Sequence, residues 1–435
     1  MRKNIRNNDL HVPMIQKCLR SLAERRPTIL VTSIILLTLN LSSPSWAADP
    51  FYQSEFIFPL EKWHNHGSCL LELPNGDLLV SWFHGSGEHM SDDLLIQGAR
   101  KRKNGQGWSQ RFLVADTANF PDANPVMFLD GYKQLWLVWS MIAANDWRTS
   151  FLKFRISDDY QRQEEPLAWK VGDTLMFAPK DFATDVQRGL DEFVRINPGT
   201  VYGDRINSVK RLAGDKFLSR MGWIARSHAL TLPTGRIVLP LYSDGLSLSM
   251  MAISDDGGKN WITSKPIVGI GNIQPSLVRK NDGTLVAYMR NAGPGPRRLF
   301  VSVSADRGLT WSVPRLTNLP NPNSASEVIR LSNGEWALVY NDTEEGRNSL
   351  AVSISDDEGK SWRWTRHLER ANPGAEAPQF HYPSIIQTKD GMVHVSYSYF
   401  LENLPEGAAR KTIKYATFNL DWVKATDNVH LSSKR

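Results

Sequence analysis

Short apolar runs recur along the chain, each entered through a polar turn that carries a glycine. Six stretches share this form: PNGDLLVSW (74–82), DGYKQLWLVWS (130–140), PTGRIVLPLYS (233–243), NDGTLVAYMR (281–290), SNGEWALVYN (332–341) and KDGMVHVSYSY (389–399). Each follows an extended run such as SCLLEL or YPSIIQ, so each reads as a β-hairpin. Helical periodicity is weak throughout. The pattern predicts an all-β protein.

A second repeat is interleaved with the hairpins. Three octets match Ser-x-Asp-x-Gly-x-x-Trp: SDDGGKNW (254–261), SADRGLTW (304–311) and SDDEGKSW (355–362), starting 50 and 51 residues apart. Gly258, Gly308 and Gly359 supply the positive φ of a tight turn, and Asp256, Asp306 and Asp357 accept hydrogen bonds from turn amides. Trp261, Trp311 and Trp362 pack between neighbouring sheets. One site does not need three copies, so these residues are scaffold. Six hairpins, each followed by a strand pair closing on an octet or its remnant, make a six-bladed β-propeller. The long gap before Gly235 implies an insertion at about 160–225.

Composition adds an address. Of 51 Lys+Arg and 45 Asp+Glu, residues 1–47 hold seven and two, so the rest of the chain is near +1. A nucleic-acid partner is therefore not expected. Thr28 to Leu41 is a 14-residue, mostly apolar run behind a basic leader, and Ser45-Trp46-Ala47 places small residues before a cut. That order is a secretory signal over 1–47; the run is short of the roughly 20 residues that span a bilayer. The expected product, 48–435, is a periplasmic or secreted monomer with no stable membrane insertion once the signal is removed. Cys18 leaves with the signal and Cys69 stays alone, so packing rather than a disulfide holds the fold.

In a hairpin, residues equally far on either side of the turn share one end of the blade. Nine before the turn glycine stand Arg226, Gln274, Ala325 and Tyr382 in the last four units, and Gly67, beside His66, in the first. Seven after it stand Tyr242, Arg290, Asn341 and Ser398. Most are polar, and all would ring one mouth of the central channel, either as a solvated rim or as a sugar pocket. Asn323, Asn124 and His228 also precede hairpins. His64, His66, His84 and His89 lie close in sequence but lack any established ligand spacing. No metal or cofactor is expected.

The octets resemble the Asp-boxes, or bacterial neuraminidase repeats, of sialidases and their exported bacterial relatives, over about residues 60–420. The resemblance implies a sialidase-type propeller that hydrolyses a terminal acidic sugar from glycans. It also implies three tools: arginines for the substrate carboxylate, a Tyr nucleophile with a Glu partner, and an Asp acid/base. Arginine's planar fork suits a carboxylate, and sialidases depart from the two-carboxylate rule of glycosidases. Residue by residue, Arg290 and Arg347 resemble the second and third arginines, Tyr382 the nucleophile, and Asp92 or its neighbour Asp93 the acid/base.

Two positions depart from the pattern. His66, in His64-Asn65-His66-Gly67, replaces the first arginine, and Gln274 stands where the Glu partner belongs. Gln cannot take the Tyr proton, and losing a general base typically costs about 10²–10⁴-fold. Glu88 or Glu327 could substitute out of frame; His66 is either a base or a hydrogen-bonding rim residue. Three readings follow: a sialidase-like exo-glycosidase, a uronate-directed hydrolase or lyase using His66 and Tyr382, or a glycan-binding propeller without catalysis.

Overall fold

The computed structural model describes residues 49–162, 167–198, 202–405 and 407–425. The signal reading of 1–47, with Cys18, lies outside them. Among the described residues, no helix is long and apolar enough to cross a membrane.

Six antiparallel sheets form the blades of a propeller. Blade one runs His64–Glu72, Leu78–Gly85, Leu95–Lys101 and Phe112–Ala115. Blades two, four and five repeat this order, opening on Asp122–Leu129, Asn272–Arg279 and Glu327–Arg330. Blade three has a split inner strand, Ile224–Ala225 and Leu230–Thr231, both paired with Ile237–Ser243. The first strands of successive blades adjoin around the channel.

Two features differ from the sequence expectation. Blade six does not finish on downstream residues: its outer strand is Tyr52–Phe56, paired with Lys414–Phe418 in the register Tyr52↔Phe418 to Phe56↔Lys414. The two ends of the described chain thus close the ring together. Helix α4 (Leu420–Lys424) seals the seam, with Trp422 stacked on Tyr52 at 4.5 Å. The second difference is helical. The insertion holds α1 (Phe182–Ile196), α2 (Arg205–Ala213) and α3 (Lys216–Arg220). In α1, Phe182, Val186, Leu190 and Phe193 share a buried stripe. The stripe is short, and strand signals on both sides hid it. A Cβ at Gly189 would come within 2.5 Å of Val268, so only glycine lets the helix lie this close.

The octets build the turns expected of them. Ser254 Oγ donates to Asp256 Oδ1 at 2.9 Å and accepts from the Gly258 amide at 2.8 Å. Asp256 in turn accepts the Asn260 amide at 2.9 Å. Ser304–Asp306–Gly308 and Ser355–Asp357–Gly359 repeat the pattern. The Asn260 amide at Asp256, and the Ser361 hydroxyl and amide at Asp357, hold these carboxyls down at about 2. Trp261 meets Trp136 of blade two edge-on at 6.0 Å, and Trp362 meets Tyr288 of blade four at 5.9 Å. Each indole thus crosses to the preceding blade.

A polar belt crosses the channel at mid-height. Inner strands have one edge without a neighbouring strand, and a buried unpaired amide costs about 1–3 kcal/mol. Here side chains of other blades fill that edge. Leu70 N donates to Ser384 Oγ and Val328 N to Ser276 Oγ, each at 3.0 Å. Met127 N donates to Cys69 Sγ at 3.2 Å. Glu327 takes the amides of His228 (3.0 Å) and Ile385 (2.9 Å) together with His228 Nδ1 at 2.9 Å. His228 Nε2 reaches Leu70 O at 2.8 Å on blade one, 3.4 Å from Cys69 Sγ. Below the belt the channel widens into a cavity of about 590 Å³, floored by His228 and Glu327 and walled by Leu277, Ile329 and Ile386.

Burial alone would lower the His228 pKa and raise that of Glu327. Cys69 and Glu327 beside the imidazole, and His228 beside the carboxylate, reverse both. The raised imidazole contributes stability that is complete below about pH 6.5 and is lost as pH climbs through its higher folded value. The lowered carboxyl contributes stability that is complete above about pH 4.5 and is lost as pH falls through its folded value. Glu327→Gln, which breaks the buried pair, should cost about 3–5 kcal/mol in denaturant unfolding. It should also flatten the fall in stability on the acid side; an unchanged acid limb would remove the pair from that role. Trp362→Ala, at a half-buried inter-blade contact, should cost about 2–3 kcal/mol with unaltered strand content by circular dichroism.

Candidate active site

The mouth above the belt is built from one device used four times. Pairing between the inner strand and the next slips at His66/Cys69, Ala123/Val126, Ile273/Ser276 and His381/Ser384. At each slip one residue takes a positive φ: Gly67 (63°), Asn124 (51°), Gln274 (52°) and Tyr382 (50°). Three of them precede Pro125, Pro275 and Pro383, which have no amide for the ladder, so the interruption is written into the chain. A bulge re-aims its side chain, and here it turns Asn124, Gln274 and Tyr382 toward one centre. In blade two the left-handed turn residue is Lys133 rather than Gly131, and a count made on glycines therefore misses Asn124.

Tyr382 occupies the centre. Its Oη accepts Arg290 Nη1 at 2.9 Å and Gln274 Nε2 at 3.4 Å. Three guanidinium carbons stand around its ring, Arg226 at 5.1 Å, Arg347 at 5.8 Å and Arg290 at 6.0 Å from the centroid. Arg290 Nε donates to Asn323 Oδ1 at 2.7 Å, and its Nη1 also reaches Gln274 Oε1 at 3.2 Å. Arg347 donates to Asn323 O and to His381 Nδ1, both at 2.6 Å. Tyr242 Oη lies 3.2 Å from Gln274 Nε2 and 3.4 Å from the Asn124 amide. Tyr382, Arg290, Arg347 and Asn323 keep partial exposure to the mouth, while Gln274, Tyr242, Asn124, Arg226 and His66 form a buried floor.

Arg226 differs from the other two arginines. Its Nη2 donates to the main-chain oxygen of Tyr382 at 2.5 Å, so it props the Tyr382 strand from below while adding charge. His66 stacks on Tyr382, ring to ring at 4.3 Å and 30°, and its Nδ1 meets Ser398 Oγ at 2.9 Å. Stacked rings do not hydrogen-bond through their edges, so His66 is a wall and not a base for the Tyr382 hydroxyl. Burial, and then the neighbouring His381 ring, keep the His66 imidazole well below its usual range. Burial and Arg347 do the same to His381. Both are neutral donor–acceptor groups. The Tyr382 hydroxyl, which burial alone would push up, is brought below its usual value by Arg290 and Arg347. Tyr242, with burial dominant and Asp244 next, is pushed well above.

Other expected residues stand elsewhere. Asn341 is fully buried and gives its Nδ2 to Ser349 O and Phe380 O, which makes it a strap between blades five and six and not a pocket wall. Asp92 is exposed on the rim and accepts Asn145 Nδ2 at 2.9 Å; Asp93 closes the same loop through Ser86. Glu88, exposed on that loop, is near enough for its charge to act on Tyr382, Arg347 and Asp244. Both oxygens of Glu327 are spent on the belt, and His228 lies there too. Among the described residues, no group of three or more His, Cys, Asp or Glu is placed to hold a metal ion. His381 escaped the sequence reading although it directly precedes Tyr382.

Residues 202–395 match the model of the BNR repeat-like domain. The anhydrosialidase of Macrobdella decora is 25% identical over 190 residues, which are 38% of this chain and 23% of that protein's length. The leech intramolecular trans-sialidase, solved with 2,7-anhydro-Neu5Ac, superposes with a TM-score of 0.62 at 15% identity, covering 86% of this chain and 71% of its own. The intramolecular trans-sialidase of Ruminococcus gnavus gives 0.61 at 15%, covering 83% and 95%. A Dyadobacter fermentans protein of unknown function gives 0.61 at 16%, covering 85% and 99%. With six blades, repeated Asp-box turns and these likenesses, the chain has the fold of the sialidase-type propellers and is similar to their BNR-repeat proteins.

Proposed function

We propose that this protein is an exported exo-glycosidase that removes a terminal acidic sugar, such as sialic acid, from glycans. One observation carries the reading: the guanidinium groups of Arg290 and Arg347, from blades four and five, stand 6.0 and 5.8 Å from the Tyr382 ring at the same mouth, and Arg290 bonds the Tyr382 hydroxyl. Two such groups suit a carboxylate on the sugar, and a Tyr nucleophile between them avoids the repulsion that a carboxylate nucleophile would meet. Asn323 orients Arg290 through its side chain and Arg347 through its main-chain oxygen. In the first step the Tyr382 oxygen, its proton having passed to solvent, bonds to the anomeric carbon as the electron pair of the glycosidic bond leaves with the departing oxygen. The departing oxygen takes a proton from a carboxyl of the overhanging loop, Glu88 or Asp92. Water then releases the sugar from Tyr382 and returns the proton. Export rests on the leader at 1–47.

Arg290→Ala should weaken the binding of acidic sugars about 10–150-fold, since each charge-assisted contact is worth about 1.5–3 kcal/mol. Binding of a neutral analogue should be unaffected. Tyr382→Phe should bind acidic sugars nearly as wild type and turn none over. The assay is release of fluorophore from sialosides and, separately, from uronosides. Turnover of uronosides alone would move the reading to a uronate-directed enzyme, and binding without turnover of either would make the propeller a glycan-binding module. Product analysis would separate hydrolysis from formation of an anhydro sugar.

A further inference from the structure

Gln274 stands where a carboxylate would take the nucleophile's proton, and the geometry around it supplies a different way to activate Tyr382. Arginine has donors only, so the Gln274 atom 3.2 Å from Arg290 Nη1 must be the carbonyl oxygen. That fixes the amide: Nε2 is turned toward Tyr382 Oη at 3.4 Å and Tyr242 Oη at 3.2 Å. Tyr382 Oη therefore receives two N–H donors, from Arg290 and Gln274, and among the described residues it has no acceptor for a hydrogen of its own. A phenol oxygen so surrounded is matched to its ionised form.

The surrounding charges favour the same form. Facing Tyr382 are Arg226, Arg290 and Arg347, all cationic; His66 and His381, both neutral; Tyr242; and the carboxylate of Glu88 on the exposed loop. Of the two phenols that share the Gln274 amide, Tyr242 has, among the described residues, only the amides of Gln274 and Asn124 in hydrogen-bond reach, whereas Tyr382 has a guanidinium. The negative charge therefore settles on Tyr382.

We propose that Gln274 is a positioning residue which, with Arg290, holds Tyr382 as a phenolate, so that the nucleophile needs no carboxylate base. The charge count supports this. A protonated Tyr beside Glu carries one negative charge, and a phenolate beside Gln carries the same one. In the first step the phenolate oxygen bonds to the anomeric carbon, the electron pair of the glycosidic bond passes to the leaving oxygen, and no proton has to leave Tyr382. The use of the phenolate in catalysis rests on the glycosidase reading; its existence in the free protein does not.

The test is an ultraviolet titration of tyrosinate in the folded, substrate-free protein, with thermal unfolding run on every variant. Wild type should show one phenol ionising well before the value of about 10 for free Tyr, and Tyr382→Phe should lack that step. Gln274→Leu should move the step to higher pH, and Gln274→Glu should move it further, because it adds a like charge. In turnover, Gln274→Leu should carry the acid limb of the kcat profile upward by the same interval, with KM little changed. If the Tyr382→Phe curve superimposes on wild type below about pH 9, there is no phenolate and the proposal fails. It fails equally if Gln274→Leu folds and leaves the early step in place. Should Gln274→Leu not fold, the Tyr382→Phe comparison decides alone. An early phenolate in a protein that turns over no acidic glycoside would keep this inference and overturn the glycosidase reading; turnover without the early step would do the reverse.

Discussion

Six strands that line a channel each present an edge with no strand to pair with, and the rest of this molecule depends on how those edges are satisfied. Water could do it in a wide channel. Here side chains of other blades do it, and Glu327 does the largest share by accepting two amides and the His228 ring. Because His228 and Glu327 come from blades three and five, and Leu70 and Ile385 from blades one and six, the contacts run across the axis and not only around it. A propeller is otherwise joined by neighbour-to-neighbour packing, with strand pairing across its closing seam. The belt adds a rigid mid-plane.

That mid-plane explains why the mouth above it can be irregular. Non-glycine residues at positive φ cost about 1–3 kcal/mol each and persist only where the surroundings fix them. Asn124, Gln274 and Tyr382 all sit there, each held on its C-terminal side by Pro and then by residues that enter or adjoin the belt. The strain places three polar side chains where a regular strand would alternate them away from the axis. Scaffold and chemistry are separated by the same logic. The Asp-box turns lie between the outer strands and recur in three blades, whereas the pocket takes a different residue from every blade.

What was legible in the sequence follows that division. Repeated features carry their own evidence, so the octets and glycine turns identified the sheet architecture, and a count from the turn glycine placed Gln274, Tyr382, Tyr242 and Arg290 on one mouth. Features that occur once, or that depend on partners distant in sequence, did not show. The Tyr52–Phe56 strand closes blade six through residues more than 350 positions away. Asn341 has the right offset but points its amide at main-chain oxygens. Glu327, His228 and Cys69 look like unrelated residues until three blades bring them together. His66 was readable as a departure, but its stacking on Tyr382 depends on a bulge, and the spacing of apolar and polar residues does not encode which way a bulged residue faces.

The two departures from the sialidase pattern also make sense only as a set. Replacing an arginine by His66 removes a positive charge, because burial keeps that imidazole neutral. Replacing Glu by Gln274 removes a negative one. Either change alone would leave the pocket out of balance by a full charge in a poorly solvated place, where an uncompensated charge is expensive. Together they cancel. Arg226, reaching in from blade three, then stands as a third cation near Tyr382 in place of the lost one. The anionic counterpart that three arginines call for can come from the phenol itself. A pocket with one charge of each sign fewer than that pattern still has arginines beside the phenol, and with no carboxylate between them they act on the Tyr382 oxygen directly.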